Sequence, residues 1–255
     1  MTISIDGTAL IAYLLASVRI IAWLTFAPPF NNRSIPPMAK GVLGMGLAFA
    51  ISPTLAASSL PRTTPELILV TGTQVMIGAA MGFATQLLFG AIQAAGSLID
   101  LFGNFQIAAA YDPLSMNTNS VFGRFHEMLA VMLLFASGGD LLVVGGLLNT
   151  FHYLPLMASP DVSSWASVLT TSFGMFFSIA IQIALPMIAV LFIADLALAL
   201  LTKVAPGLHA MNVMLPAKIG LTLLLVGMSF PVLPEALDRL TTLINQAMST
   251  MAGGS

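Results

Sequence analysis

The most constraining feature of this chain is a run of 33 residues, Leu67 to Ile99, that contains no Asp, Glu, Lys or Arg. A helix needs only about 20 mostly apolar residues to cross a bilayer, so this one is expected to tilt or to project beyond the hydrocarbon. Of the 255 residues, 58% are hydrophobic and 7% are charged, against roughly 25% charged residues in an ordinary soluble domain. The sequence therefore predicts an integral membrane protein.

Six hydrophobic segments predict an all-α, polytopic fold, and no domain boundary divides residues 1–255. Gly138-Gly139-Asp140 interrupts the fourth segment, Pro53 lies inside the second, and Pro186 is expected to break the fifth. The 235–255 tail has the pattern of an amphipathic helix. The segments are Thr8–Ala27, Gly41–Leu60, Leu67–Ile99, Phe125–Thr150, Val162–Leu201 and Met211–Pro234.

Orientation in the membrane follows from the positions of Lys and Arg in the loops. The side that carries Arg62 and Arg239 has two of these residues, and the opposite side has five. This bias predicts that both termini lie outside the cytoplasm and that the central loop begins on the cytoplasmic side. The five residues are Arg33, Lys40, Arg124, Lys203 and Lys218.

Several functional classes have no support in the sequence. The net charge of -2, without a basic patch, gives no reason to expect nucleic-acid binding. The chain has no Cys, which excludes disulfides and thiolate metal sites, and its three histidines lack metal-ligand spacing. No catalytic grouping or phosphate-binding loop is visible. We therefore expect no enzyme, no cofactor and no metal.

One face of the third segment is small and polar. Its members follow one another at steps of three or four residues, which places them on one side of a helix. Close packing against another helix is the favoured interpretation, and the wall of an aqueous passage is the alternative. Both interpretations predict burial within protein and exclude contact with lipid. The members are Gly82, Gln86, Gly90, Gln93, Ser97 and Asp100.

Three charges, Arg19, Asp140 and Asp195, lie within or near the predicted spans. Charges inside a membrane are costly and are usually paired or functional. For Asp195 a proton relay is one interpretation, and a structural salt bridge to another helix or subunit is favoured over it.

The stretch from Gln93 to Ser120 departs from the membrane pattern. Asp112-Pro113 marks a turn, and a polar run follows it from Ser115. Irregular backbone at membrane depth survives only where protein buries it or water reaches it, so we expect a loop held inside a channel. Its main residues are Gly103, Phe105, Gln106, Ile107, Ala108, Ala109, Ala110, Tyr111, Asp112 and Pro113.

Motifs in a fixed order over nearly the whole chain resemble those of the FliR family, flagellar biosynthesis proteins of the bacterial type III export gate. The chain departs from the family at Gln74, where an acidic residue is usual, and in the detail of Asn104-Phe105-Gln106. The matching blocks are Arg19 with Ala27-Pro28, Arg33-Ser34-Ile35-Pro36 with Lys40, IGAAMGF at 77–83, AAGSLIDLFG at 94–103 with Asp112-Pro113, Thr150-Phe151-His152 with Leu154-Pro155, and ALPMIAVLFIADLALALLTKVAPGLH at 184–209 with Leu215-Pro216.

The resemblance implies a single-copy subunit that joins FliP and FliQ in a helical assembly of the bacterial cytoplasmic (inner) membrane, within the flagellar basal body. That assembly is the pore through which unfolded flagellar subunits leave the cell, and FlhB contacts its cytoplasmic side. Residues of about 1–160 would pack like FliP, about 162–234 would form a FliQ-like hairpin, and 235–255 would be a tail. The resemblance also implies that the helices sit largely above the plane of the membrane.

The resemblance makes the loop at 103–117 a plug of the pore. The residues agree with this role, because an apolar constriction can exclude water and ions by dewetting. Gly103 would supply hinge freedom, the three alanines would pack without strong specific bonds, and Phe105, Ile107 and Tyr111 would supply bulk.

The same resemblance places Thr202–Lys218 at the cytoplasmic tip of the FliQ-like hairpin. Lys203 and Lys218 bracket this segment, and Pro206-Gly207 would form its bend. A cationic tip suits contact with acidic side chains of a neighbour or with FlhB.

Two other functional classes remain as alternatives. One is a six-helix secondary transporter that uses Asp195 as its coupling site, and the other is a structural nucleator of the assembly without a gating role. A virulence secretion homologue of the same gate is a further possibility within the family, and the motifs favour the flagellar one.

Overall fold

The computed structural model describes residues 7–32, 34–55, 60–61, 63–105, 120–204 and 210–254, without the side chains of 210–213. The described residues are almost entirely helical, and none of them forms a β-strand. The all-α fold predicted from the hydrophobic segments is confirmed.

The first three helices are α1 (Gly7–Phe26), α2 (Pro37–Leu55) and α3 (Thr64–Phe102). Helix α2 begins at a proline, which the first helical position tolerates because its N–H would have no partner there. Helix α3 has 39 residues and includes the whole uncharged run. Glu66 lies in its first turn, where a negative charge is favourable.

The fourth predicted segment is two helices, α4 (Val121–Ala136) and α5 (Gly139–Tyr153), which meet at an angle of 78°. The bend lies at Gly138, whose φ of 73° is in the left-handed region that glycine adopts without steric cost. Asp140 is in the first turn of α5, where its charge is favourable. The predicted interruption is confirmed.

The last part of the chain contains α6 (Val162–Val204), α7 (Ala210–Ser229), a short 3-10 helix (Phe230–Val232) and α8 (Leu233–Met251). The expected break at Pro186 is wrong, because α6 continues through it for 43 residues. The helix continues because proline removes only one backbone hydrogen bond. The neighbouring Ala184 and Met187 are buried in a core, and this packing holds the helix together.

Helix α6 has a well-formed N-terminal cap. The Asp161 carboxylate accepts hydrogen bonds from the Ser163 hydroxyl at 2.6 Å and from the Ser163 backbone N–H at 3.0 Å. These bonds hold the pKa of the exposed Asp161 carboxyl below its usual value. The cap fixes the start of the longest helix described.

Five helical stretches are long and apolar enough to cross a membrane, or six if the bent pair α4 and α5 is one span. One of the five combines α7 and α8, from Met214 to Met251. The polytopic membrane fold predicted from the sequence is therefore confirmed. Helix α8 is also amphipathic as expected, since its polar residues alternate with buried leucines at helical spacing.

The described chain forms two compact units that alternate along the sequence. The first contains the described parts of Met1–Leu88, Ser137–Phe173 and Leu240–Ser255, and the second those of Phe89–Ala136 and Gly174–Arg239. The predicted FliP-like and FliQ-like parts are consecutive in sequence and stay a prediction.

In the first unit, α1 packs closely on α2 and α3 through glycines. A Cβ atom on Gly82 would lie 2.8 Å from the carbonyl oxygen of Trp23, and one on Gly78 would overlap the carbonyl group of Arg19. A Cβ on Gly44 of α2 would collide with the Ile21 side chain. At Gly78 and Gly82 the helix backbones touch, so a larger residue fits only if a backbone shifts, whereas at Gly44 the close neighbour is a side chain.

The glycines of the polar face on α3 do not share one environment. A Cβ on Gly90 would be 3.7 Å from the Phe176 ring, which is an ordinary contact. The expectation of a tight helix contact at Gly90 is therefore wrong within this chain, whereas it holds at Gly82.

We predict opposite outcomes for alanine at these two glycines. Gly82→Ala should destabilise the protein by about 1–3 kcal/mol, because the added methyl group overlaps a rigid backbone. Gly90→Ala should be neutral or stabilising by up to about 1 kcal/mol, because alanine favours the helix. Thermal unfolding of detergent-solubilised complexes measures both, and equal stability of the two variants would contradict the packing described.

Candidate functional site

The two ends of the central loop come together around a buried carboxylate. Asp100, near the end of α3, accepts a short hydrogen bond from the Ser120 hydroxyl. Its two carboxylate oxygens lie 3.2 and 3.1 Å from the backbone nitrogen of Phe122, which donates to them. We call Asp100, Gly103, Phe105, Ser120, Phe122 and Gly123 the neck of the loop.

Ser120 is the N-cap of α4 and has two roles. Its hydroxyl oxygen accepts a hydrogen bond from the backbone N–H of Gly123 at 2.8 Å, which satisfies one of the unpaired donors at the start of the helix. The same hydroxyl donates to Asp100, so the carboxylate of one helix caps the next. A negative charge at a helix N-terminus is favourable, which offsets the cost of burying Asp100.

Glycines allow the two helices to approach at the neck. A Cβ on Gly96 of α3 would overlap the Phe122 carbonyl, and one on Gly123 would lie 2.6 Å from the hydroxyl oxygen of Ser97. On the other side, a Cβ on Gly103 would be 2.9 Å from the hydroxyl of Thr222 in α7. The neck is therefore fixed by backbone contacts as well as by the carboxylate.

The neck stands on the apolar core of the second unit. Phe105, at the start of the loop, packs edge-on against Phe122, with ring centroids 4.8 Å apart. Asn104 has a φ of 63°, a left-handed conformation that turns the chain after Gly103. Around Phe122, the buried core residues are Ala95, Ile99, Ala184, Met187 and Val226.

The sequence analysis assigned Gly103 and Phe105 to a pore plug; the structure places both at the neck, and their role in a plug stays a prediction. The other predicted plug residues lie outside the described residues: Gln106, Ile107, Ala108, Ala109, Ala110, Tyr111, Asp112 and Pro113. Asp100 was predicted only as a member of a helix face, and Ser120 as the end of a polar run. A serine directly before an apolar helix is a capping signal that could have identified Ser120.

The polar face of α3 is divided by exposure. Gly82 and Asp100 are buried, and Gly90 and Ser97 are half-buried. Gln86 and Gln93 are exposed on this chain, so burial of the whole face would need other subunits and stays a prediction. Because amide side chains are unfavourable in lipid, these two glutamines need water or another protein chain beside them.

Arg19 is fully buried and is held by uncharged groups. Its Nε donates to the side-chain oxygen of Gln74 at 2.6 Å, and its Nη2 donates to the carbonyl of Leu154 at 2.9 Å. Its guanidinium also lies 4.1 Å from the centre of the Phe151 ring. Gln74 in turn donates to the carbonyl of Leu156 at 2.8 Å, so the arginine joins α1, α3 and the turn after α5.

Asp195 forms an ion pair with Lys218. The lysine Nζ lies 2.7 and 2.9 Å from the two carboxylate oxygens, and this bond joins α6 to α7. The structural salt bridge favoured from the sequence is thus present. It also occupies the carboxylate that the transporter interpretation would use as its coupling site.

The cytoplasmic hairpin tip bracketed by Lys203 and Lys218 stays a prediction, and the structure gives the surroundings of these two lysines. Lys203 is exposed in the last turn of α6. Lys218 is about two turns inside α7, and its side chain is only 2% exposed because it bonds to Asp195. Pro206 and Gly207 lie outside the described residues.

Comparison with known proteins places the chain in a family. A sequence model of the family described as "Bacterial export proteins, family 1" matches residues 10–244. The chain belongs to this family. It is 31% identical over 228 residues to the flagellar biosynthetic protein FliR of Escherichia coli K12, covering 89% of this chain and 87% of that one.

Other members of the family show a similar level of identity. The FliR protein of Pectobacterium carotovorum is 31% identical over 241 residues, 91% of this chain and 92% of its own. The secretion system apparatus protein SsaT of Salmonella typhimurium is 28% identical over 232 residues, 87% of this chain and 88% of its own. This chain is therefore a membrane-embedded component of a type III export apparatus, and its relatives are export components and not enzymes.

We predict that Asp100→Ala loosens the start of α4. Hydrogen bonds to a charged group contribute about 1.5–3 kcal/mol, so amide exchange of the 120–126 segment should rise by roughly tenfold to a hundredfold. Hydrogen–deuterium exchange of the purified complex measures this. Asp140→Ala, which removes the acid from the first turn of α5, should leave the α4 amides unchanged; unchanged α4 exchange in Asp100→Ala would contradict the cap.

We also predict that Lys218→Glu destabilises the α6–α7 pair, because it places two carboxylates together. Breaking a buried ion pair costs about 3–5 kcal/mol, and the partial exposure of Asp195 favours the lower end of that range. The exchanged pair Asp195→Lys with Lys218→Asp should recover part of the loss in thermal stability. The exposed Lys203→Glu should cost little, since exposed pairs contribute about 0.2–1 kcal/mol; an equal loss for both lysines would refute the pairing.

Proposed function

We propose that this protein forms, with FliP-type and FliQ-type subunits, the pore through which unfolded flagellar subunits enter the export channel. In this proposal the loop at 103–117 is a plug whose first residues, 103–105, belong to the fixed neck and whose remaining residues move on it. The observation that carries it is the neck itself. Because Asp100 joins the end of α3 to the start of α4, the loop leaves and returns at one fixed place on an apolar core.

A plug that can be displaced needs a base that stays folded, and the neck would be that base. A polypeptide that pushes the plug aside must not unfold the helices around it, and the buried carboxylate, the touching glycines and the paired Phe rings resist that unfolding. The apolar residues of the loop beyond them need no specific hydrogen bonds. The loop can therefore exclude water when the pore is closed and be displaced when a polypeptide pushes on it.

The helix lengths support a multi-subunit assembly. At 1.5 Å per residue, α3 and α6 are about 58 and 65 Å long, whereas the hydrocarbon of a bilayer is about 30 Å thick. Much of each helix must therefore lie outside the hydrocarbon. Large apolar side chains are nevertheless exposed along α6, at Phe173, Phe177, Ile181 and Leu185. Neighbouring subunits would cover these residues, consistent with helices that sit largely above the membrane plane.

The remaining parts of the proposal follow the family. Residues of about 1–160 would pack as a FliP-like part, and 162–234 as a FliQ-like hairpin whose two helices are joined by Asp195 and Lys218. The exposed Lys203 would face an acidic partner such as FlhB on the cytoplasmic side. The site would be the bacterial inner membrane at the flagellar basal body, and the flagellar relatives favour this over a virulence system.

Deletion of residues 106–111 tests the plug. We expect the complex with the FliP-type and FliQ-type subunits to assemble, because the neck is untouched, and the membrane to leak small ions and osmolytes. Conductance and osmotic-swelling assays measure the leak. The matched control replaces the same six residues by Gly and Ser and keeps the loop length.

The membrane with the Gly and Ser replacement should leak less than that with the deletion, because the replaced loop still fills space in the pore. It should leak more than that with the original loop, because Gly and Ser make no apolar contacts. A deletion strain that secretes normally and stays impermeable to ions would show that the loop is not a plug, and would leave the structural nucleator as the role of the chain.

A further inference from the structure

The first unit contains an open groove that the proposed plug does not use. Its volume is about 890 Å³, and it lies between the C-terminal halves of α2 and α8 and most of the length of α5. Small residues, Ala50, Gly145 and Gly146, form part of its lining. A Cβ on Gly145 would meet nothing within 4 Å, so the groove is open above this glycine.

The lining of the groove is mixed: apolar side chains, among them Ile51, Leu142 and Leu148, lie beside a set of hydrogen-bonding side chains. Helix α8 contributes Thr242, Asn245, Gln246 and Ser249, which follow helical spacing and form one stripe. Helix α5 adds Asn149 and His152 on the facing wall. Among the described residues that line the groove, none is Asp, Glu, Lys or Arg.

The walls of the groove are held in place by packing. The carboxamide oxygen of Asn245 is buried against Gly146, where any Cβ would overlap it, so α5 and α8 touch at this point. The end of α8 is fixed as well, because the Trp165 indole donates a hydrogen bond to the Met251 carbonyl at 2.8 Å. Gly254 then packs against the ring of Tyr153. The groove is thus a rigid part of the first unit.

We propose that this groove binds a membrane helix of a neighbouring export subunit, and that this helix presents Asn, Gln, Ser or Thr to the polar stripe of α8. The inference rests on the proposed function, which requires neighbouring helical subunits. The amides and hydroxyls of the lining would hydrogen-bond to that helix, and the small residues would let the two backbones approach.

The mixed lining favours a helix as the occupant, because one face of a helix can present both apolar and hydrogen-bonding side chains to the groove. A lipid headgroup is disfavoured because the described lining offers no Lys or Arg for its phosphate. Acyl chains are disfavoured because they would leave the amides of Asn149 and Gln246 without hydrogen bonds.

Photocrosslinking in intact cells tests the occupant. The photoreactive residue p-benzoylphenylalanine would replace Gln246 in the groove and, as the control, Thr250, which is exposed on α8 outside the groove. We expect an adduct from position 246, at least tenfold stronger than from 250, with a membrane helix of another export subunit. Mass spectrometry should place Asn, Gln, Ser or Thr within one turn of the crosslinked residue.

A filled groove provides the second arm. Gly145→Leu should reduce the adduct from position 246 at least tenfold, because leucine occupies the open space without meeting this chain. The control is Gly72→Leu. Gly72 is also an exposed helical glycine with no atom within 4 Å of an added Cβ, so this change should leave the adduct from position 246 intact.

The outcomes separate the groove from the plug. An adduct with a second copy of this chain, an adduct with lipid, equal adducts at 246 and 250, or no adduct at all would overturn the groove proposal. The proposed function would stand in each case if the complex still co-purifies with its FliP-type and FliQ-type subunits and the loop deletion still leaks. Failure to co-purify would instead refute the proposed function.

Discussion

The structure depends on the bond that Asp100 makes across the base of the central loop. A buried carboxylate is costly unless hydrogen-bond donors surround it. Here the donors are the Ser120 hydroxyl and the Phe122 N–H, both at the positive end of α4. The loop therefore cannot open at its base without leaving a buried charge and unpaired helix donors together. The base of the loop is therefore held in place by these bonds. In the plug proposal, only the apolar residues beyond the base move.

The Asp195–Lys218 pair and the buried Arg19 are stabilised in different ways. Asp195 and Lys218 neutralise each other and join two helices of the second unit. Arg19 has only a glutamine side chain, a carbonyl and an aromatic ring beside it among the described residues, and its Nη1 has no hydrogen-bond partner there. A guanidinium is weakly hydrated and stacks on aromatic rings, which makes such burial tolerable. In both cases the charge joins helices.

The sequence predicted those features that follow from local pattern. Long apolar runs predicted the helices because only helices satisfy every backbone group in a membrane, and Gly138-Gly139 predicted the bend because glycine accepts a left-handed conformation. The break assigned to Pro186 was wrong because packing of α6 outweighs one lost hydrogen bond.

Pairings between distant residues could not be predicted in the same way. Nothing in the spacing of Asp100 and Ser120 shows that the chain returns on itself, and Lys218 looks like a loop lysine until Asp195 is seen beside it. The same applies to Gly82 and Gly90, which share a helix face although only Gly82 touches another backbone. Helical periodicity identifies the face of a helix, but the neighbouring element decides what that face contacts.

The central claim is that the neck stays closed while the loop beyond it moves aside. An engineered disulfide between Ser97→Cys and Gly123→Cys tests this, since a Cβ at 123 lies 2.6 Å from the Ser97 oxygen and the chain has no other cysteine. The same Cβ lies 2.6 Å from the Ser120 hydroxyl oxygen, so the Gly123→Cys single variant is the control for any disturbance of the cap. After oxidation of cells that carry the pair, the account predicts that the bridge forms and that secretion continues at the rate of the reduced protein and of each single-cysteine variant. A complete and reversible block of secretion by the disulfide would contradict it, because the gate would then have to open at the neck.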